Sequence, residues 1–182
     1  MKVAFYLGSF NPFHNGHLNV IKTAFERDKM NKVVIVPTMQ NPWKFNKILD
    51  LYSRSSMITM SVSDYVAEGH NVIVDYTERQ LEPPYYSYNT LEQLKKKYKG
   101  HDLYFLCGED TMNDIPNWMN GDKILKEWDF LVVNRPEGSL SSTKIREMIK
   151  EGQDISPYVS KKVLKHITRY YCFGENNLYN SL

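Results

Sequence analysis

Apolar residues along this chain fall into two kinds of run, and the two kinds alternate. Short continuous stretches at Lys2–Leu7, Lys32–Pro37, Val72–Asp75, Leu103–Cys107 and Phe130–Asn134 read as buried strands. Between them apolar positions recur at intervals of three and four, as Leu18, Ile21, Ala24 and Phe25 do. That spacing predicts helices over Gly16–Asp28, Leu51–Glu68 and Asn89–Tyr98, with a looser one around Lys123–Glu127. Strands alternating with helices imply an α/β fold: a doubly wound parallel sheet with right-handed crossovers. Two helices close the chain, Ser142–Glu151 and Pro157–Tyr171. Gly152 stops the first, and Ser156-Pro157 starts the second. There is no internal repeat or low-complexity segment, so residues 1–182 are expected to form a single domain whose C-terminal helices begin near residue 141. The long, polar and aromatic loop Thr38–Asp50 is a candidate lid. The Asn-rich tail 174–182 is expected to fray or to serve a subunit contact, which leaves a homo-oligomer possible.

The candidate chemistry lies at the first strand-to-helix junction, G-S-F-N-P-F-H-N-G-H from Gly8 to His17. A helix N-terminus offers unpaired N–H groups and the positive end of the helix dipole, a natural seat for phosphate. Gly8 would let the backbone approach an anion closely, Pro12 stiffens the turn, and Asn15 is the expected N-cap. His14 and His17, three apart, share one helix face, so both rings can address the same phosphates. Ser9 has no base at a fixed spacing beside it. A direct phosphoryl or nucleotidyl displacement needs none, because the protein has only to position the reactants and stabilise charge.

Further signals support an anion site. Ser141, Ser142 and Thr143 precede Ile145 and Ile149 and form a second helix start, with Arg146 one turn in. Gly108 closes a strand where ligands bind in open parallel sheets, and Asp110 beside it can accept hydrogen bonds from ribose hydroxyls. Trp118 suits either a surface anchor or a core plug. His14 and His17 alone could also serve packing or hold zinc. The other histidines and the two cysteines are scattered, however, so no metal site is expected.

Together the segments resemble the nucleotidyltransferase superfamily with its H-x-G-H motif, and within it the nicotinate/nicotinamide mononucleotide adenylyltransferases. Gly8–His17 resembles G-[TS]-F-[DN]-P-x-H-x-G-H, and S-S-T-K-I-R at Ser141–Arg146 resembles I-S-S-T-x-I-R. L-C-G-E-D at Leu106–Asp110 followed by I-P-N-W is similar to G-x-D followed by Trp. N-P-W-K at Asn41–Lys44 resembles P-P-H-K, and Ser87, Tyr88, Thr90 and Leu91 resemble S-Y-T-x-x-T-L. The resemblance implies a Rossmann-like nucleotidyltransferase fold and adenylyl transfer from ATP to nicotinate or nicotinamide mononucleotide, with the acid slightly favoured. His14, His17 and Arg146 would be catalytic. Gly8, Ser9, Phe10, Gly16, Gly108, Asp110, Ser142 and Thr143 would bind ATP, and Asn11, Lys44, Tyr86, Ser87 and Trp118 the mononucleotide. Magnesium would arrive with ATP. The alternatives are another phosphate acceptor, such as phosphopantetheine, or a dinucleotide-binding sensor without turnover. Cytidylyltransferases typically carry R-T-x-G-I-S-T-T where this chain has L-S-S-T-K-I-R.

Composition narrows the partners. A net charge of +2 is too small and dispersed to argue for nucleic acid, and Lys95–Lys97 most simply end a helix. No apolar run is long enough to span a bilayer and no signal-peptide pattern opens the sequence, so a cytoplasmic location is expected.

Overall fold

The structure, a computed structural model, describes residues 1–39, 48–134 and 140–172, the last five by backbone alone. Five strands, β1 (Lys2–Gly8), β2 (Lys32–Pro37), β3 (Val72–Val74), β4 (Asp102–Gly108) and β5 (Asp129–Val133), form one parallel sheet in the order β3-β2-β1-β4-β5. The apolar runs are continuous because both sheet faces are covered. Ala4, Tyr6, Val33 and Ile35 pack into one core, while Val3, Phe5, Val34 and Val36 pack into another. The first core takes up Val20, Ile21 and Ala24 from α1 (Asn15–Glu26) with Ile58 and Val62 from α2 (Leu51–Ala67). The second takes up Leu91 and Leu94 from α3 (Ser87–Lys97) and Ile124 from α5 (Gly121–Glu127). A third cluster joins Met57 of α2 to Ile145 of α6 (Ser142–Lys150) and to Val163 and Ile167 of α7 (Lys161–Cys172).

From β1 the chain steps outward one way to β2 and β3, then returns to the other side of β1 for β4 and β5. The strand order therefore reverses between β1 and β4. A crevice opens outside the carboxyl ends of strands at such a reversal, the usual ligand position in open α/β sheets.

The structure corrects several expected boundaries. His14, not Asn15, caps α1: its Nδ1 accepts the Gly16 N–H at 3.1 Å. Asn15 is instead the first helical residue, and its side-chain amide donates to the Pro157 carbonyl at 3.1 Å. The last helix opens at Lys161 and not at Pro157, because 154–160 are held as turns. Asp154 accepts from the Ser156 N–H, and the Tyr158 carbonyl accepts the Asn15 N–H at 2.9 Å. Between β4 and α5 the chain forms a short helix, α4 (Glu109–Asp114), and a 3-10 turn at Ile115–Asn117, and Trp118 follows in the bend before α5.

Candidate active site

Gly8 ends β1, and the turn that follows is built around aromatic rings. Phe10 has a φ of 49°, in the left-handed region. Its ring fills the space where a Cβ on Gly8 would lie, 3.0 Å away. Gly8 thus serves the packing of Phe10. Tyr6, Phe10 and Phe13 surround the His17 ring, with centroids 6.1, 5.1 and 5.1 Å from it.

The two histidine rings lie against each other, tilted by 34° with centroids 3.7 Å apart. His14 Nδ1 accepts the Gly16 N–H, and His17 Nδ1 accepts the His14 N–H at 3.1 Å, closing a reciprocal capping box. A ring nitrogen that accepts an N–H carries no proton itself. In each neutral imidazole the proton is therefore on Nε2, so both buried rings carry an N–H at the start of α1. Gly16 is required here: a Cβ would lie 2.9 Å from the His14 ring.

The carbonyls of the turn are taken up by donors from other elements. Gly8 O accepts the Thr38 N–H at 3.0 Å, and Ser9 O accepts Arg54 Nη1 at 2.7 Å. Asn11 O accepts Arg146 Nη1 at 2.7 Å, and Pro12 O accepts the Ser142 hydroxyl at 3.0 Å. With its oxygens engaged, the turn shows less negative charge to an incoming anion. The same bonds dock the start of α6 on the start of α1, so the two helix N-termini the sequence singled out converge. Ser141 caps α6 by accepting the Lys144 N–H, and Arg146 Nη2 reaches Thr143 Oγ1 at 3.1 Å.

Gly108 ends β4, next to β1, and exposed Asp110 stands in the first turn of α4. Burial, reinforced by the Asp110 charge, pushes the neighbouring Cys107 thiol up to about 12, so this cysteine is a packing residue and not a nucleophile. Trp118 combines its two sequence readings. It is half-buried, with one side on the core 6.4 Å from Phe105. Tyr88 of α3 packs against the same cluster, and Lys123 reaches over its ring at 5.5 Å. Tyr86 and Ser87 form the start of α3. Asn11 is buried, and its side-chain oxygen accepts the Leu49 N–H at 3.4 Å. Lys44 lies outside the described residues, as does most of the candidate lid.

Sequence reading missed a buried polar layer beneath this surface. Glu78, 1% exposed, accepts the Met39 N–H at 2.6 Å and the Thr90 hydroxyl at 2.8 Å. Its burial raises its pKa above the ordinary carboxyl value, against the opposing pull of those bonds and of Arg54. Burial would also raise Asp75, but bonds from Lys97, Thr77 and Tyr98 bring it below the ordinary value. In the sequence each of these looks like an ordinary solvated charge; only the flanking apolar spacing hints at burial. Among the described residues no three His, Cys, Asp or Glu side chains group as a metal cage. No helix among them is long and apolar enough to cross a membrane.

Comparison with known proteins gives the same picture. A family model described as cytidylyltransferase-like matches residues 5–162. A Clostridium tetani protein named "Probable nicotinate-nucleotide adenylyltransferase" is 30% identical, over 93% of this chain and 97% of its own length. A protein of the same name from Flavobacterium johnsoniae is 31% identical, over 98% and 99%. The Plasmodium falciparum nicotinic acid mononucleotide adenylyltransferase, solved in complex with NaAD, matches with a TM-score of 0.77 at 19% identity, covering 94% of this chain and 96% of that one. At that identity the match speaks for the fold.

Proposed function

Since this chain belongs to the cytidylyltransferase-like family, and within it to the nicotinate-nucleotide adenylyltransferases, we propose that the site at the β1–α1 turn carries out its adenylyl transfer directly. The enzyme moves the adenylyl group of ATP to nicotinate mononucleotide in NAD biosynthesis, forming deamido-NAD and pyrophosphate. A phosphate oxygen of the mononucleotide forms the new bond to the α-phosphorus. The bond from that phosphorus to the bridging oxygen breaks in line, and pyrophosphate leaves with the electron pair. The nucleophile is already an anion, so no general base is needed.

The observation that carries this reading is the paired Nδ1 acceptance at His14 and His17, which presents two Nε2–H donors from one helix end. Donors fixed before the reaction stabilise the charge developing on the phosphoryl oxygens without reorganising. Arg146, whose Nη1 and Nη2 donate to Asn11 O and Thr143 Oγ1, supplies a guanidinium beside them. Gly8, Ser9, Phe10 and Gly16 form the cradle, and Ser142 and Thr143 lie along the triphosphate. Gly108 and Asp110 take the adenylate ribose, and Trp118 stacks on the pyridine ring beside Tyr86 and Ser87. Lys44 and Asn11 complete the mononucleotide side. Magnesium would arrive with the ATP substrate and offset the charge of its phosphates.

The test is pyrophosphate release from magnesium ATP with nicotinate or nicotinamide mononucleotide supplied in parallel. Release is expected with both reactants present, faster with the acid, and lost in His17→Ala. ATP binding without release from either acceptor would overturn the reading.

A further inference from the structure

Arg54 is 1% exposed, among the most deeply buried side chains of the molecule, and it carries a permanent charge. Its guanidinium spreads its donors over three separate stretches of backbone. Nε donates to the Leu49 carbonyl at 2.8 Å, Nη1 to Ser9 at 2.7 Å, and Nη2 to Thr38 at 2.7 Å and Met39 at 3.4 Å. These stretches are the turn after β1, the chain leaving β2 and the approach to α2. Glu78 holds the second of them as well, through the Met39 N–H.

The Ser9 contact bears on the neighbouring amide. The Ser9–Phe10 peptide is trans, and in a trans peptide the C=O and N–H point opposite ways. Drawing the Ser9 oxygen inward onto Arg54 turns the Phe10 N–H away from the core. Phe10 stays in its left-handed conformation, its ring held among Tyr6, Phe13 and His17. Among the described residues no acceptor takes up that N–H.

We propose that Arg54 is a positioning residue for the phosphate turn: by holding the Ser9 carbonyl inward, it aims the Phe10 N–H at the triphosphate, beside the His14 and His17 donors. This rests on the adenylyl-transfer reading only for the identity of the anion. The alternative is a staple that joins loops and leaves the phosphate untouched.

Arg54→Lys separates the two. It keeps the charge, but a single ammonium cannot span carbonyls that diverge from a planar fork. In the full chain, ATP affinity measured by calorimetry is expected to fall about tenfold and kcat about a hundredfold, with adenosine affinity unchanged. Equal losses for ATP and adenosine, or no loss for ATP, would overturn the proposal. A second measurement uses the unmodified protein, in case the lysine variant does not fold. On addition of inorganic tripolyphosphate, the Phe10 amide proton should move downfield in the NMR spectrum. A tripolyphosphate complex that leaves this proton unmoved would equally overturn the proposal. The two deciding readouts, the ATP affinity and the Phe10 amide shift, are of binding and need no turnover, so their failure is distinct from a failure of the protein to release pyrophosphate.

Discussion

In the proposed reaction His14 has two jobs on two nitrogens: Nδ1 caps α1, and Nε2 is assigned as a donor to phosphate. Asparagine can reproduce the first and not the second, since its side-chain oxygen reaches the Nδ1 position. His14→Asn is therefore expected to keep the melting temperature and lose kcat by about 10²–10³-fold. His14→Ala should lose the same activity and a further ~1 kcal/mol of stability, measured by denaturant unfolding. Equal stability of the two variants would contradict the cap assignment. Gly16→Ala brings a methyl within 2.9 Å of the His14 ring and must displace it. Displacement of a catalytic group by about 1 Å can cost about 10² in rate. A loss of that order in kcat, in a protein that remains folded, is the expected outcome.

At the scale of elements, the five strands and the principal helices were legible because sheet burial and helix periodicity leave strong patterns. The turn after β1 was legible because Gly, Pro and His cluster there at fixed offsets. What lay beyond the sequence has physical causes. A six-residue helix such as α4 is too short to show a period. Asn15 has the better intrinsic capping propensity, but the imidazole of His14 reaches the Gly16 N–H first and holds it. Arg54 and Glu78 declare themselves largely through partners distant in the sequence, such as Ser9 and Met39. Gly121 carries no sequence signal either, since its need is set by a backbone approach: the Ile115 carbonyl lies 1.9 Å from where its Cβ would be. This close approach seats the 3-10 turn that precedes Trp118 on the start of α5. Gly121→Ala is expected to destabilise the fold by ~1–3 kcal/mol and to alter Trp118 fluorescence. An unchanged spectrum would show that Trp118 is positioned independently of this contact.

For the molecule as a whole, two buried carboxyls shape stability against pH in opposite senses. The folded pKa of Asp75 lies below its unfolded value, so its contribution is present above the unfolded pKa and lost as pH falls through the folded one. Asp75→Asn should be about 1–2 kcal/mol less stable near neutrality, with the deficit narrowing below about pH 4. Glu78 has a raised folded pKa, so its contribution is full below the unfolded value and declines as pH rises through the folded one. Glu78→Gln can still accept from Met39 and donate to Thr90, whose hydroxyl hydrogen can turn to Tyr86 O. It should flatten the stability profile from mildly acid pH to neutrality. A melting curve series from pH 3 to 8 on the parent and both variants reads the two effects together, and parallel curves would refute both assignments.

The central claim is direct transfer between two bound nucleotides, with no enzyme nucleophile. The most direct test is turnover of ATP made chiral at the α-phosphorus by a single sulfur substitution, with nicotinate mononucleotide as acceptor. One in-line displacement predicts a dinucleotide product of inverted configuration. Retention would require an adenylyl-enzyme intermediate and would contradict the roles given to His14, His17 and Arg146.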